Sequence, residues 1–137
     1  MSSPCSAGDV VFDTEIAGSS RATIALFSEA TEDPNPIHVD DAFAERCGFP
    51  QVIQQGPMTT AHFARLLALA FGASRLRVLD LAFSAPVFPL EALRLKATVV
   101  AVEAGRLRIE LLAAKGDGTV TARGHADVAA GDHHRMR

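Results

Sequence analysis

A chain of 137 residues fits a single domain, 1–137, and is long enough to bury a core without disulfide or metal staples. A formal charge of −3, with no run of Lys or Arg interleaved with aromatics, gives no footprint for nucleic acid. No apolar run reaches the length that spans a bilayer, and Met1-Ser2-Ser3-Pro4-Cys5 lacks a basic stretch followed by an apolar one, so a soluble, cytoplasmic protein without membrane contact is expected. Cys5 and Cys47 are too few for a disulfide framework and read as free thiols. A nucleophilic Cys47 would need an electropositive setting.

In chain order, Asp9 to Ala17 predicts a short strand, and Ser20 caps a helix through Ile24, Leu26, Phe27 and Ala30 to about Thr31. A proline-rich loop follows, Asp33-Pro34-Asn35-Pro36-Ile37-His38. Asp40 or Asp41 then caps a short helix carrying Phe43 and Ala44 and closing near Gly48. The loop from Phe49 leads to Gln55-Gly56-Pro57, with Pro57 suited to the first position of a helix. From Met58 to Phe71 the strongly polar residues are His62 and Arg65, which predicts a largely buried helix.

After Gly72 four β-like segments follow, near Arg75 to Phe83, Leu93 to Val102, Leu107 to Ala114 and Thr119 to Val128. Leu107, Ile109 and Leu111 alternate with Arg108 and Glu110; Val120, Ala122, Ala126 and Val128 oppose Thr121, Arg123, His125 and Asp127, which are expected on the wetter face. Lys115-Gly116-Asp117-Gly118 suits a hairpin turn. The ends, about 1–8 and 131–137, are expected to fray. A buried helix followed by antiparallel strands predicts an α+β arrangement, a sheet wrapped around the helix. A glycine-rich phosphate loop, a zinc-spaced Cys pair and a Gly-x-Ser-x-Gly elbow are all missing from the sequence.

The chemistry concentrates in Asp33 to His38, where two prolines restrict the backbone and hold a carboxylate and an imidazole in one loop. Such a pair can take a proton from water and return one to a substrate near neutral pH. On spacing alone, Asp33 could equally be a turn residue and His38 a satisfied loop histidine.

Asp33-Pro34-Asn35-Pro36-Ile37-His38-Val39-Asp40, then Phe43-Ala44, then Gln55-Gly56-Pro57-Met58, and finally Phe83-Ser84-Ala85-Pro86-Val87-Phe88-Pro89 resemble, in order, the signature of the MaoC-like dehydratases, a family that includes the R-specific enoyl-CoA hydratases. The resemblance implies a hot-dog fold, usually dimeric, acting on a trans-2-enoyl or 3-hydroxyacyl thioester of CoA or acyl-carrier protein, with no cofactor or metal. It places the catalytic acid and histidine on Asp33 and His38, and Asn35 on the asparagine that shapes their loop. Gly56 falls on the glycine opening the central helix, where an N–H at a positive helix end can hold an enolate oxygen. The chain departs from the family in having Gln55 where His is usual before that glycine, and Leu90-Glu91 where Gly-Asp is usual. Gln55 still donates and accepts hydrogen bonds, whereas Leu90 disfavours the positive φ that glycine allows, so a reshaped turn is expected, affecting substrate preference if it borders the pocket.

Three functions fit these residues: a hydro-lyase, a hot-dog thioesterase, and a non-catalytic acyl-thioester binding subunit. Asp33 and His38 on one loop favour the first. Ala61, Ala64 and Ala68 could open a tunnel along the helix or allow close sheet packing. His62 reads as a polar contact on an apolar helix, His125 as solvated, and His133 and His134 as tail residues. His38-x-Asp40 is a poor metal signal.

Overall fold

The computed structural model describes residues 6–131. Strand β1 (Val10–Ile16) leads to helix α1 (Arg21–Ala30), whose N-cap Ser20 accepts a hydrogen bond from Thr23 N–H. The Pro36–His38 segment forms one 3₁₀ turn before α2 (Asp41–Arg46), capped by Asp40. The long helix α3 (Gly56–Phe71) is followed by β2 (Leu76–Phe83), β3 (Leu93–Glu103), β4 (Arg106–Lys115) and β5 (Val120–Ala129). All strand pairs are antiparallel, in the order β1-β3-β4-β5-β2.

The core lies between α3 and the sheet. Phe63, Leu67 and Phe71, spaced at four residues on one stripe of α3, pack in one cluster with Leu95, Ile109, Leu111 and Ala126. Alternation along β4 buries Leu107, Ile109, Leu111 and Ala113 as the period-two pattern requires. The Lys115 to Thr119 hairpin is closed by Lys115 N–H to Thr119 O and Gly118 N–H to Lys115 O.

Several expectations are corrected. Helix α3 is buried along one stripe and not throughout: Leu69 is 75% exposed and Arg65 also faces outward. It opens at Gly56, so Pro57 is its second residue. Asp127 is buried on the supposedly wet face of β5, paired with Arg106 and more distantly with Arg108 from β4. Thr121 is also buried, its hydroxyl donating to Ala113 O. Just before β1, Gly8 N–H donates to Val99 O of β3. In the turn before β3, Leu90 adopts φ 68°, the left-handed conformation that leucine was expected to disfavour. His133, His134 and Cys5 lie outside the described residues. No helix among those described is long and apolar enough to cross a membrane.

Candidate active site

Asp33 is positioned by the C-terminus of α1. Thr31 N–H bonds Phe27 O, Glu32 turns the chain at φ 55°, and Asp33 N–H returns to Ser28 O. Two side-chain turns then stiffen the loop: Asp33 Oδ1 accepts from Asn35 N–H and Asn35 Oδ1 from Ile37 N–H. The consequence is a short 3₁₀ turn that carries His38 back toward Asp33.

Asp33 Oδ2 and His38 Nε2 lie 3.5 Å apart, with the His38 side chain 10% exposed and that of Asp33 38%. The other ring nitrogen, Nδ1, is 2.8 Å from Ile53 O. A carbonyl only accepts, so Nδ1 carries a proton and donates it. In the neutral ring Nε2 is therefore the basic nitrogen, and it faces the carboxylate.

The segment leading into α3 is fixed from several sides. Ile53 N–H donates to Ile37 O and Gln54 N–H to Val87 O. Asp41 accepts from Val52 N–H and from Arg21, whose other terminal nitrogen donates to Gln51. The Val52 amide, followed by the Arg21 guanidinium, holds the Asp41 carboxyl below its ordinary range. These contacts tie α1, α2 and the 51–55 segment together, and so set Gly56 relative to His38.

A cavity of about 460 Å³ lies at this junction, with His38, Gly56 and Gln55 among its lining, and with Phe83, Ser84 and Val87 forming another part of its wall. Gly56 N–H, at the start of α3, has no hydrogen-bond partner among the described residues. The arrangement offers a base and a carboxylate on one loop, and a free N–H at the positive end of a sixteen-residue helix.

Asp33 and Asn35 line a separate surface depression with Glu29 and Val39, so Asp33 reaches the site through its contact with His38. Gln55 is 1% exposed, and its Nε2 donates to Ile24 O and Ser28 Oγ of α1, while its Oε1 has no partner among the described residues. Ala61, Ala64 and Ala68 do not line the cavity, nor does Leu90, which borders a different depression beside Ser20 and Arg21. His62 stands outside the cavity, its Nδ1 accepting from Arg65. Cys47 is a free, exposed thiol. No group of His, Cys, Asp and Glu among the described residues could hold a metal ion.

Two polar lining residues carried no functional expectation from the sequence, Gln54 and Thr59. The available signal was a polar residue after the apolar pair Val52-Ile53, and a threonine in the first turn of a helix with an apolar stripe.

A sheet with this strand order, curled against one long helix and bearing the site at that helix's N-terminus, defines the hot-dog class. The chain belongs to the MaoC-like dehydratase family, whose MaoC like domain matches residues 8–120. Among curated proteins, none matches the sequence. The ChsH1-ChsH2 complex of Mycobacterium tuberculosis contains a chain with TM-score 0.82 at 17% identity, the match covering 92% of this chain and 98% of that one. The (R)-hydratase from A. caviae involved in PHA biosynthesis matches with TM-score 0.78 at 23% identity, covering 90% and 97%. A MaoC-like dehydratase from Rhodospirillum rubrum matches with TM-score 0.72 at 25% identity, covering 91% and 92%.

Proposed function

We propose that this protein is a hydro-lyase that adds water to a trans-2-enoyl thioester to give the (R)-3-hydroxyacyl thioester, or runs the reverse dehydration, with Asp33 and His38 as its acid/base pair. The observation that carries this reading is the tautomer of His38. With Nδ1–H committed to Ile53 O, the neutral ring turns a basic Nε2 toward Asp33 Oδ2, 3.5 Å away. Two acceptors so placed can share the two protons of one water and orient its oxygen.

In the hydration direction the thioester carbonyl oxygen accepts from Gly56 N–H, which strengthens as enolate charge develops. Water oxygen bonds to the β-carbon while Asp33 removes a proton, the alkene electrons move into the enolate, and that same proton, passed from Asp33 to His38 Nε2, is delivered to the α-carbon, so that carboxylate and neutral imidazole are both restored. The same steps in reverse expel water. The thioester handle is CoA or acyl-carrier protein, and a homodimer is the assembly this reading carries, since β1 and β2 are both sheet edges.

The decisive experiment follows the enoyl-thioester ultraviolet absorbance with crotonyl-CoA and a longer trans-2-enoyl-CoA while free thiol is titrated in parallel. Loss of absorbance without thiol is the expected result. Thiol release would replace the lyase with a thioesterase, and a folded protein silent in both assays would leave a binding subunit.

A further inference from the structure

The cavity wall includes two largely buried polar residues that the acid/base pair and Gly56 do not use. Gln54 is 8% exposed and Thr59 is 3% exposed, and both line the cavity. Neither the Gln54 amide nor the Thr59 hydroxyl makes a hydrogen bond to any described residue. Their neighbours behave differently: the Gln55 Nε2 is spent on α1, and the Thr121 hydroxyl on Ala113 O. The polar atoms sealed from solvent without a partner are Gln55 Oε1 and Asp127 Oδ1 among the described residues, so the unpaired atoms of Gln54 and Thr59 are open to the cavity's water, which a bound ligand must displace and replace.

Gln54 is also held rigidly. Its N–H is bonded to Val87 O at 2.7 Å, and the preceding Ile53 is bonded through its N–H to Ile37 and through its carbonyl to His38. The amide is thus attached to the same short segment that orients the His38 ring. Among the lining, Pro57, Phe83 and Ser84 are exposed, so the mouth is taken to lie beside them, while Gln54, Thr59 and Val87 are buried. A bulky handle belongs at the mouth, which leaves the buried end to the acyl group. His38 is the only titratable side chain among the lining residues, so nothing there would neutralise a carboxylate.

We propose that Gln54, assisted by Thr59, is a specificity-determining residue, and that the buried end accepts an acyl group carrying a neutral hydrogen-bonding oxygen, a keto or hydroxyl group, in place of a plain alkyl tail. This rests on the reading of the cavity as an acyl-thioester site. An oxygen there accepts from the Gln54 amide or the Thr59 hydroxyl, whereas an alkyl chain strips both of water and returns nothing. A site that must pair its own buried groups rejects the analogue lacking the matching atom more strongly than an apolar pocket rejects an added oxygen.

The test is binding, measured by calorimetry with saturated thioesters that cannot be hydrated: 4-oxopentanoyl-CoA and its near-isostere 4-methylpentanoyl-CoA. The wild-type protein should bind the oxo compound tighter by at least about tenfold. Gln54→Leu should abolish or invert that ratio, and Thr59→Val should reduce it. Should Gln54→Leu fail to fold, as judged by its melting curve, the Thr59→Val ratio and the wild-type preference decide. Equal or tighter binding of the methyl compound by wild type, or a ratio unchanged in folded variants, overturns the proposal. A folded wild-type protein that binds neither thioester overturns the acyl-thioester reading as well, a result distinct from binding without preference.

Discussion

The ring of Phe83 stands 3.0 Å from the point where a Cβ on Gly56 would lie, so the last residue of β2 closes directly over the first residue of α3. Gly56 is not at positive φ, so the constraint is the ring and not the backbone. Gly56→Ala should fold normally, yet push the Phe83 ring and the thioester away from the helix N-terminus. Small displacements at a reacting centre are costly, and kcat/KM should fall on the order of tenfold to a hundredfold. Phe83→Leu, with a smaller side chain, should restore much of that loss when combined with Gly56→Ala. The full double-mutant cycle measures this, and purely additive losses would separate the two residues.

Asp33→Asn tests the acid/base pair with little damage to the loop. The amide oxygen of Asn can still accept from Asn35 N–H, the contact that shapes the turn. The lost carboxylate should lower kcat by about 10²–10⁴-fold, with a small change in KM and an unchanged denaturation midpoint. His38→Gln should do the same to kcat. Retained turnover in Asp33→Asn would remove the carboxylate from the mechanism.

The strands and helices were legible because their patterns are local: Ser20 and Asp40 are caps by chemistry, and Leu107, Ile109 and Leu111 mark a face by period. Asp127 was misplaced because its burial depends on Arg106 and Arg108 from the neighbouring strand, which no pattern within β5 reveals. The Asp33 and His38 loop could be read as a candidate pair, but the His38 tautomer depends on Ile53 O, fifteen residues away. Gln54 and Gln55 are adjacent, identical in type and both line the cavity, yet the Gln55 Nε2 is spent on α1 while the Gln54 side-chain amide bonds no described residue. Only the extended path of the chain into α3 separates them.

Leu90 carries a backbone conformation that its side chain does not repay. It is held at φ 68° while 74% exposed, with its N–H on Ser19 O and its backbone packed so closely on Gly18 that a Cβ there would collide. The left-handed region costs an L-residue about 1–2 kcal/mol, and glycine gives back about half of the relief as lost chain entropy. Leu90→Gly should therefore stabilise the fold by about 0.5–1 kcal/mol, seen as a higher urea midpoint at unchanged slope. Turnover should change little, because Leu90 borders the depression beside Ser20 and not the cavity. A lower midpoint would show that the exposed leucine makes a contact of greater value than the strain.

His62 supplies a pH dependence separate from catalysis. Partial burial, followed by the charge of Arg65, lowers its pKa from the ordinary 6.5. Arg65 can only donate, so the 3.3 Å contact from its Nη2 to His62 Nδ1 requires that nitrogen to be unprotonated. The sign follows from the folded pKa being the lower one: as pH falls through 6.5 the unfolded chain takes up a proton that the folded protein resists. Stability carried by neutral His62 is fully present above that pH and is lost below it. Urea midpoints of wild type and His62→Gln, compared at about pH 7.5 and about pH 5.5, should therefore converge or cross as the pH drops, with the wild type falling faster. Parallel midpoints over that window would mean that His62 titrates alike in both states, and that its contact with Arg65 does not exclude the proton.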